Sequence, residues 1–451
     1  MLVKMLVILL IMSLSIRECL VHGPATSKEI QAVTGLSQTA VSRQLRGMSN
    51  SIVKHKDGRV LRYAMTCNAF GGNDRLPLFT VDAHGNNIAV ANIRPLLHGG
   101  FYVEPLTGMP SVLLGEGGDG FYDDLPYFLY DLAPQGFLGR QIAEEMSAQS
   151  SDFPNDPRQW NVDHVGRYLV SNGDDLSGNF KFGEQAHLRV RRKPLGVSSD
   201  DYPQLAEDVI NGILPGSSAG GEQPKFTAFC RERLAHVIVK FSPKGNDAIA
   251  RRWRDILITE FHASDSLRAA EWPVAETRLI DQGGRLFLES KRFDRSGDHG
   301  RMSMVSLQAV DSEFTGIGSR WDRVADALHR KNLLSWQHCF DTTALWNFGL
   351  LINNTDMHLG NLSVSIEGNV FRILPVYDMC SMGFAPKSGE VPSYDFNPPT
   401  IDKSLNLEDD VAGYVQDVAR DFWNRVIADP RISPEFRDYL DQGNPIDRIE
   451  S

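Results

Sequence analysis

The chain has 451 residues, 42% of them hydrophobic and 23% charged. That composition can bury a large core and excludes collagen-like, mucin-like and disordered classes. The net charge of −11 excludes a nonspecific nucleic-acid coat, yet residues 22–67 carry +5, the first 21 residues +1 and the remainder −17. A basic module on an acidic body is the asymmetry of a DNA-reading domain joined to something else. The five cysteines are widely spaced without a CxxC pair, so neither a zinc ribbon nor a disulfide framework is supported, and a reducing, cytoplasmic location is expected.

The first sixteen residues, MLVKMLVILLIMSLSI, pair one lysine with an apolar run. The run is shorter than the roughly 20 residues of a comfortable membrane span. No small-x-small cleavage site follows. The segment is read as the first, buried helix of the N-terminal DNA-binding domain, with no membrane partner expected; a misassigned start and a membrane anchor are the alternative readings.

Residues 22–48 read HGPATSKEIQAVTGLSQTAVSRQLRGM. Ser27 is expected to cap a short helix with Glu29 in its first turn and Ile30 and Val33 on its apolar face. Gly35 permits a tight turn, and Ser37 caps a second helix with Ala40, Val41 and Leu45 on one side. Gln38, Thr39, Ser42, Arg43 and Arg46 lie mostly on the other side. SIVKHKDGRVLRYAM then alternates around Asp57-Gly58, a strong hairpin signal. Two helices followed by a basic hairpin predict a winged helix-turn-helix over 1–67. Gln38, Thr39, Ser42 and Arg43 are candidates for base edges, and Arg46, Lys54, Lys56, Arg59 and Arg62 add charge for the DNA backbone. Such proteins often dimerise to match two-fold DNA symmetry, so a homodimer is an expected partner.

Residues 68–195 are mixed, with strands expected at LFTV (78–81) and IAVANI (88–93) and helices over 125–146 broken at Pro134. Residues 196–295 alternate strand-like runs with one amphipathic helix near 250–270. Residues 296–451 are largely helical. The expected fold class is α+β, with a two-lobed body whose C-terminal lobe is mostly helix.

The most informative segment is LLINNTDMHLGNLSV (350–364). Asp356 is followed five residues later by Asn361, then by a strand, a hairpin at Glu367-Gly368-Asn369, and a strand FRILPVYD ending at Asp378. This is the order of a protein-kinase catalytic loop and metal-binding aspartate. Asp356 would accept a substrate hydroxyl proton, and Asn361 and Asp378 supply hard oxygens for Mg²⁺. Upstream, GSSAGGEQPKF (216–226) is a Gly- and Ser-rich loop ending near Lys225, suited to phosphate contact. HVIVKF (236–241) places a lone Lys240 in an apolar strand, where it reads as a nucleotide-phosphate lysine. Glu260 on the next helix is its candidate partner, with Asp255 and Glu271 flanking it. RLFLESKRFDR (285–295) is a strand entering a hinge-like linker. His358 has no second His or Cys at ligand spacing, which disfavours a transition-metal site.

LPYFLYDLAPQGFLGR, GDDLSG (173–178), SSAGGEQPK, the Lys240 strand, KRFDR, NNTDMHLGN and the strand toward Asp378 together resemble the HipA family of bacterial serine/threonine kinase toxins. Within that family the chain looks like the type in which a single protein stands without a separate partner. The resemblance covers roughly residues 70–440. It implies a kinase toxin that uses ATP and Mg²⁺ and acts on protein Ser/Thr hydroxyls. It implies Asp356 as the catalytic residue. Ser218, Ala219, Gly220, Gly221, Gln223, Lys225 and Lys240 are implied around the phosphates. Lys291, Arg292 and Phe293 are implied as the hinge, and His358, Asn361 and Asp378 as nucleotide and metal contacts. It also implies control by phosphorylation of a loop serine, here Ser217 or Ser218. Relatives act beside a separate DNA-binding antitoxin, an expected partner, whereas this chain carries a fused winged helix. The phosphate loop also departs from the family in its spacing. The resulting division is 1–67 DNA-binding, 68–195 family-type N-terminal subdomain, 196–295 kinase N-lobe and 296–451 helical C-lobe. Two other readings stand beside this one: a DNA-binding transcriptional regulator whose kinase-like body senses a ligand without turnover, and a toxin acting on nucleic acid.

Overall fold

A computed structural model describes residues 14–57, 60–172, 176–185, 193–212, 223–387, 389–399 and 409–448. The N-terminal apolar run up to residue 13 therefore lies outside the described residues. Helix α1 (Ile16–Val21) begins just after it and buries Ile16 and Leu20. Its N-cap Ser15 forms a reciprocal capping box with Glu18. Strand β1 (Ala25–Thr26) leads to α2 (Ser27–Thr34), which is capped by Thr26 through a second box with Glu29. The cap is one residue earlier than expected at Ser27, because Glu29 stands at the third helical position from Thr26 and completes the box. Val33 is 43% exposed rather than part of the apolar face; Ile30 alone carries that face into the core. Gly35 adopts φ 70° and closes α2, and Ser37 caps α3 (Gln38–Gly47) as expected. Strands β2 (Ile52–Asp57) and β3 (Val60–Met65) pair antiparallel, with Asp57 opposite Val60, and β1 adds to β3. Ile16, Leu20, Ile30, Val41, Leu45, Ile52 and Met65 share one small core.

This unit is built onto the next. Strands β4 (Leu76–Val81), β5 (Asn87–Pro95), β6 (Phe101–Pro105), β7 (Phe121–Tyr122) and β8 (Phe180–Phe182) form a sheet in the order β7-β6-β5-β4-β8. The Leu97 amide donates to the Met65 carbonyl at 2.8 Å, and the Cys67 amide to the Pro95 carbonyl at 3.0 Å. Val53 and Ala64 on the inner face of the β2–β3 hairpin pack with Leu96, Tyr102 and Phe121. Arg94, 1% exposed, donates to the Asn50 carbonyl and to Asp74, each at 2.8 Å. Helices α4 (Tyr127–Tyr130) and α5 (Gly136–Gln149) flank Pro134 as its chemistry requires, and α6 (Val162–Asn172) completes this part.

A second five-stranded sheet comprises β9 (Gly196–Val197), β10 (Lys225–Cys230), β11 (Ala235–Phe241), β12 (Thr277–Gln282) and β13 (Arg285–Lys291), in the order β12-β13-β11-β10-β9. Helix α7 (Tyr202–Gly212) and the long α8 (Ala248–Ala269) accompany it. Asp247 caps α8. The remainder carries a short pair, β14 (Arg295–Ser296) and β15 (Gly300–Arg301), and a small sheet of β16 (Val305–Ser306), β17 (Ser363–Glu367) and β18 (Val370–Ile373). Its helices are α9 (Leu307–Phe314), α10 (Trp321–Arg330), α11 (Trp336–Leu351), α12 (Asp409–Ala428) and α13 (Pro434–Leu440). Trp321, Phe348, Phe371, Phe422 and Trp423 are fully buried there. Helix α12 and the residue just after it tie back to α8 through Ser266–Asp421 and His262–Asp429, each at 2.7 Å. The strand expected to reach Asp378 stops at Ile373, since the chain must leave the sheet to bridge Val376 to Val274. The fold is mixed α/β, and no described helix is long and apolar enough to cross a membrane.

Candidate functional site

The site lies where β11, α8 and the segment after β18 meet. Alternation along β11 turns Val237, Val239 and Phe241 into one core, and Lys240 between them faces the opposite side. Its Nζ donates to both Glu260 oxygens, at 2.6 and 2.7 Å, and to Asp378 Oδ1 at 2.6 Å. Glu260 sits mid-helix on α8 and is 3% exposed, so the glutamate nominated by spacing is the one that reaches the lysine. Asp255 on the same helix binds Ser433 and Tyr394 instead, and Glu271 lies beyond the helix end. Burial pushes the Glu260 carboxyl up while Lys240 opposes it. Burial would also raise Asp378, but Lys240 and then Lys225 outweigh it and hold that carboxyl below the usual aspartate value. Asp378 takes φ 56°, a left-handed conformation that Asp tolerates better than most residues.

The loop from 353 to 361 is fixed by its own side chains. Asn353 has φ 61° and accepts the Gly383 amide at 2.9 Å through its carbonyl. A Cβ on Gly383 would stand 2.2 Å from Asn353 Oδ1, so a larger residue here would displace the Asn353 side chain. Buried Asn354 accepts the Asp356 amide at 3.1 Å, and its Nδ2 donates to the Asp378 carbonyl at 3.5 Å. Asn354 thus links the two acids. Its role was not assigned from sequence, although an Asn two residues before an Asp carries the signal of a side-chain-closed turn. Asn361 Nδ2 donates to the Asp356 carbonyl at 2.7 Å, and His358 Nε2 stands 4.0 Å from Asp356 Oδ1. His358 Nδ1 accepts the Gly360 amide, a capping role, while its ring is exposed. The Trp321 indole donates to the His358 carbonyl at 2.9 Å, and the Tyr377 hydroxyl donates to that of Gly360 at 3.2 Å.

Around this cluster the remaining predicted contacts divide. Lys225 opens β10 directly opposite Lys240. Gln223 is buried, and its Nε2 finds no acceptor among the described residues. Ser218, Ala219, Gly220 and Gly221, with Ser217, lie outside the described residues. At the hinge, the Lys291 amide donates to the Glu276 carbonyl and the Arg292 amide to the His236 carbonyl, both at 2.9 Å. The Lys291 ammonium reaches Glu276 at 3.3 Å. The Arg292 guanidinium is held by Asp294 at 2.9–3.0 Å, so neither basic side chain turns to the cluster. Phe293 instead lies beside the Tyr377 ring, 5.8 Å between centroids. Asp294 also accepts the Gly178 amide at 3.0 Å, and Arg295 donates to the Leu176 carbonyl at 2.7 Å. KRFDR therefore clasps the end of GDDLSG.

The donor set suits a magnesium-bound nucleotide. Among the described residues, Asn361 commits its amide nitrogen to Asp356 and its oxygen takes no donor, and Asp378 meets Lys240 through Oδ1. Hard oxygen donors of this kind match Mg²⁺ preferences. The orphaned Gln223 donor and the Lys225 ammonium suit phosphate oxygens.

On the N-terminal unit, Gln38, Thr39, Ser42, Arg43 and Arg46 are all exposed on α3, and Lys54 and Lys56 are exposed on β2. Arg62 approaches Glu29 at 3.7 Å, and Arg59 lies outside the described residues.

The chain matches the family model of the YjjJ-like toxin middle domain over residues 72–191 and that of the HipA-like C-terminal domain over residues 217–428. It is 34% identical over 431 residues to Toxin YjjJ of Escherichia coli (strain K12), covering 93% of this chain and 94% of that protein. It also resembles a chain of the solved Shewanella oneidensis MR-1 toxin–antitoxin complex of HipA, HipB and operator DNA. There the TM-score is 0.54 at 16% identity, over 81% of this chain and 93% of the other, a likeness of fold.

Proposed function

Because the chain belongs to the HipA-like toxins, in their YjjJ branch, we propose that it is an ATP-dependent serine/threonine protein kinase carrying its own DNA reader. The observation that carries this reading is the single hydrogen-bonded cluster of Lys240, Glu260 and Asp378, joined through Asn354 to Asp356. Glu260 aims the Lys240 ammonium at nucleotide phosphates. Lys225, Gln223 and the loop 218–221 cradle those phosphates, and Phe293 sits against the adenine. Mg²⁺, held by Asn361 and Asp378, supplies neutralisation of the phosphate charge when bound. Asp356 accepts the proton of a protein Ser or Thr hydroxyl and orients its oxygen toward the γ-phosphate. The work is positioning and electrostatics, as phosphoryl transfer requires.

The N-terminal helices and hairpin, within 1–67, act as a winged helix-turn-helix. Helix α3 enters the major groove, and Lys54, Lys56 and Arg59 touch the DNA backbone. The unit at 68–195 joins this reader to lobes at 196–295 and 296–451. Its targets are a cytoplasmic protein hydroxyl and an operator, with a homodimer matching the operator's symmetry. The solved HipA neighbour sits in a complex with HipB and DNA. In this chain the fused reader takes over the DNA contact, and an antitoxin would restrain the kinase.

Purified protein incubated with radiolabelled ATP and Mg²⁺ tests the reading. Label is expected on the protein itself or on lysate proteins, and not with Asp356→Ala. Absence of transfer by the wild type, with operator binding retained, would replace the kinase by a regulator with a sensing body.

A further inference from the structure

Helix α8 presents a second face beside the one bearing Glu260. Arg252, Asp255 and Thr259 stand at i, i+3 and i+7, one stripe of the helix, and all three are buried. Each grips the segment that follows Asp378. The Thr259 hydroxyl accepts the Ser381 amide at 3.1 Å. Arg252 donates to the Phe384 carbonyl at 2.6 Å, and its guanidinium lies 3.7 Å from the centroid of the Tyr394 ring. The Tyr394 hydroxyl donates to Asp255 at 2.6 Å, and the Ser433 hydroxyl and amide bind the same carboxylate at 2.6 and 2.8 Å. Tyr394 in turn stacks on Phe436 of α13, 4.4 Å between centroids and 3° from parallel.

We propose that Arg252, Asp255 and Tyr394 form a latch that positions Glu260 and Asp378 relative to each other, so that Lys240 meets both. The inference rests on the kinase reading of the site. Glu260 and Asp378 come from elements far apart in sequence, and Lys240 would draw two carboxylates together only if both arrive within one hydrogen-bond length. The latch joins helix and segment along the stripe beside the one that bears Glu260. A cation held over an aromatic face in a desolvated setting, with a charged hydrogen bond to a carbonyl, is among the stronger side-chain contacts available. Arg252 and Asp255 touch no nucleotide or hydroxyl in this arrangement. They are positioning residues, and the assembled cluster is held by contacts already made within the chain rather than by an added phosphate on the segment.

The test uses the full chain with Arg252→Lys and Tyr394→Phe, the second keeping the ring stack and losing only the hydroxyl. Autophosphorylation kcat is expected to fall on the order of tenfold in Arg252→Lys, the usual scale of coupling between contacting residues. In a cycle with Glu260→Gln, the double variant should be no slower than Glu260→Gln alone, because both changes break one arrangement. A lowered Tm with unchanged kcat, or fully multiplicative losses in the cycle, would overturn the latch. Amide hydrogen exchange over residues 379–385 gives a readout that needs no turnover. Faster exchange in Arg252→Lys supports the latch and unchanged protection refutes it, even if the wild type transfers no phosphate and the kinase reading itself falls.

Discussion

Lys225 stands directly opposite Lys240 across the β10–β11 ladder, and both ammonium groups depress the Asp378 carboxyl. Like charges opposite one another in a sheet destabilise it unless anions intervene. Glu260 and Asp378 neutralise Lys240, whereas Lys225 is assigned in the proposed reading to the nucleotide phosphates. Lys225→Ala is therefore expected to raise the KM for ATP by about tenfold, the loss of one charge-assisted contact, with little change in kcat and no loss of Tm. Lys240→Met should remove transfer itself. Steady-state kinetics over a range of ATP concentrations separates the two, and equal effects on kcat would contradict the division of labour.

Asp356 and Asp378 reach the site by different routes and predict different failures. Asp356→Ala removes the acceptor of the hydroxyl proton while leaving the Lys240–Glu260 pair intact. Asp378→Asn removes the charge that Lys240 meets and that the proposed reading also assigns to Mg²⁺. Each should cost on the order of 10²–10³ in transfer rate. Nucleotide binding should persist in the first and lose its Mg²⁺ dependence in the second. Fluorescent ATP-analogue titrations with and without Mg²⁺ check this, and near-wild-type transfer in either variant would remove that residue from the reaction.

The pH dependence follows from the same charges. Burial alone would raise the Asp378 carboxyl, but Lys240 and Lys225 hold it below its ordinary value near 3.8. A depressed acid contributes stability that is fully present above the unfolded-state value and is lost as pH falls through the folded one. The stability difference between wild type and Asp378→Asn should thus be constant from neutral pH down to the ordinary aspartate range. It should shrink only at more acidic pH. Denaturant midpoints measured across that range show it, and a difference already shrinking near pH 6 would mean that the carboxyl is not held by the lysines.

Much of this site could be read from the chain because its parts are local or regularly spaced. The Asp356-to-Asn361 interval, the lone lysine in an apolar strand and a glutamate twenty residues on are each one-dimensional signals. The hinge was harder. KRFDR looks like a ligand-facing run, yet Arg292 and Arg295 both bind Asp294, whose other task is to hold Gly178 and its neighbours. A charged motif bound to another stretch more than a hundred residues away gives no periodic clue to its partner. The partners of Arg252 and Asp255 on α8 were invisible for the same reason: Asp255 stood only as an acid flanking Glu260, and Phe384, Tyr394 and Ser433, which bind the two, come from far along the chain. At the N-terminus the misplaced cap reflects a choice between adjacent Thr26 and Ser27, which only the reach of Glu29 decides.

Arg94 predicts how firmly the N-terminal unit is fastened. It is almost fully buried and serves Asn50 on one side of the junction and Asp74 on the other. Removing one partner of a buried charged pair costs on the order of 3 kcal/mol. Arg94→Met should therefore lower Tm and speed proteolysis between the β2–β3 hairpin and β4. An unchanged melt with unchanged proteolysis would mean that the two units hold together without it.

If the N-terminal unit reads DNA as proposed, that fastening also restricts which residues of the hairpin are available for it. Val53 and Ala64 are buried against Leu96, and His55 packs edge-on against Phe121 at 4.4 Å between centroids, with Asp119 3.6 Å from its Nε2. Among the described residues of β2, Lys54 and Lys56 are the exposed basic side chains. Arg43→Ala, on α3, should weaken operator binding by about 1–3 kcal/mol and relax sequence preference. Lys56→Ala should weaken all sequences alike and reduce the slope of log affinity against log salt by about 1. His55→Ala should leave both affinity and slope unchanged while lowering Tm, because its partners are protein. Gel shifts at several salt concentrations on operator and scrambled DNA decide among these. A salt slope that moves with His55 and not with Lys56 would mean that the hairpin meets DNA by the opposite face, and that the packing of the two units opens on binding.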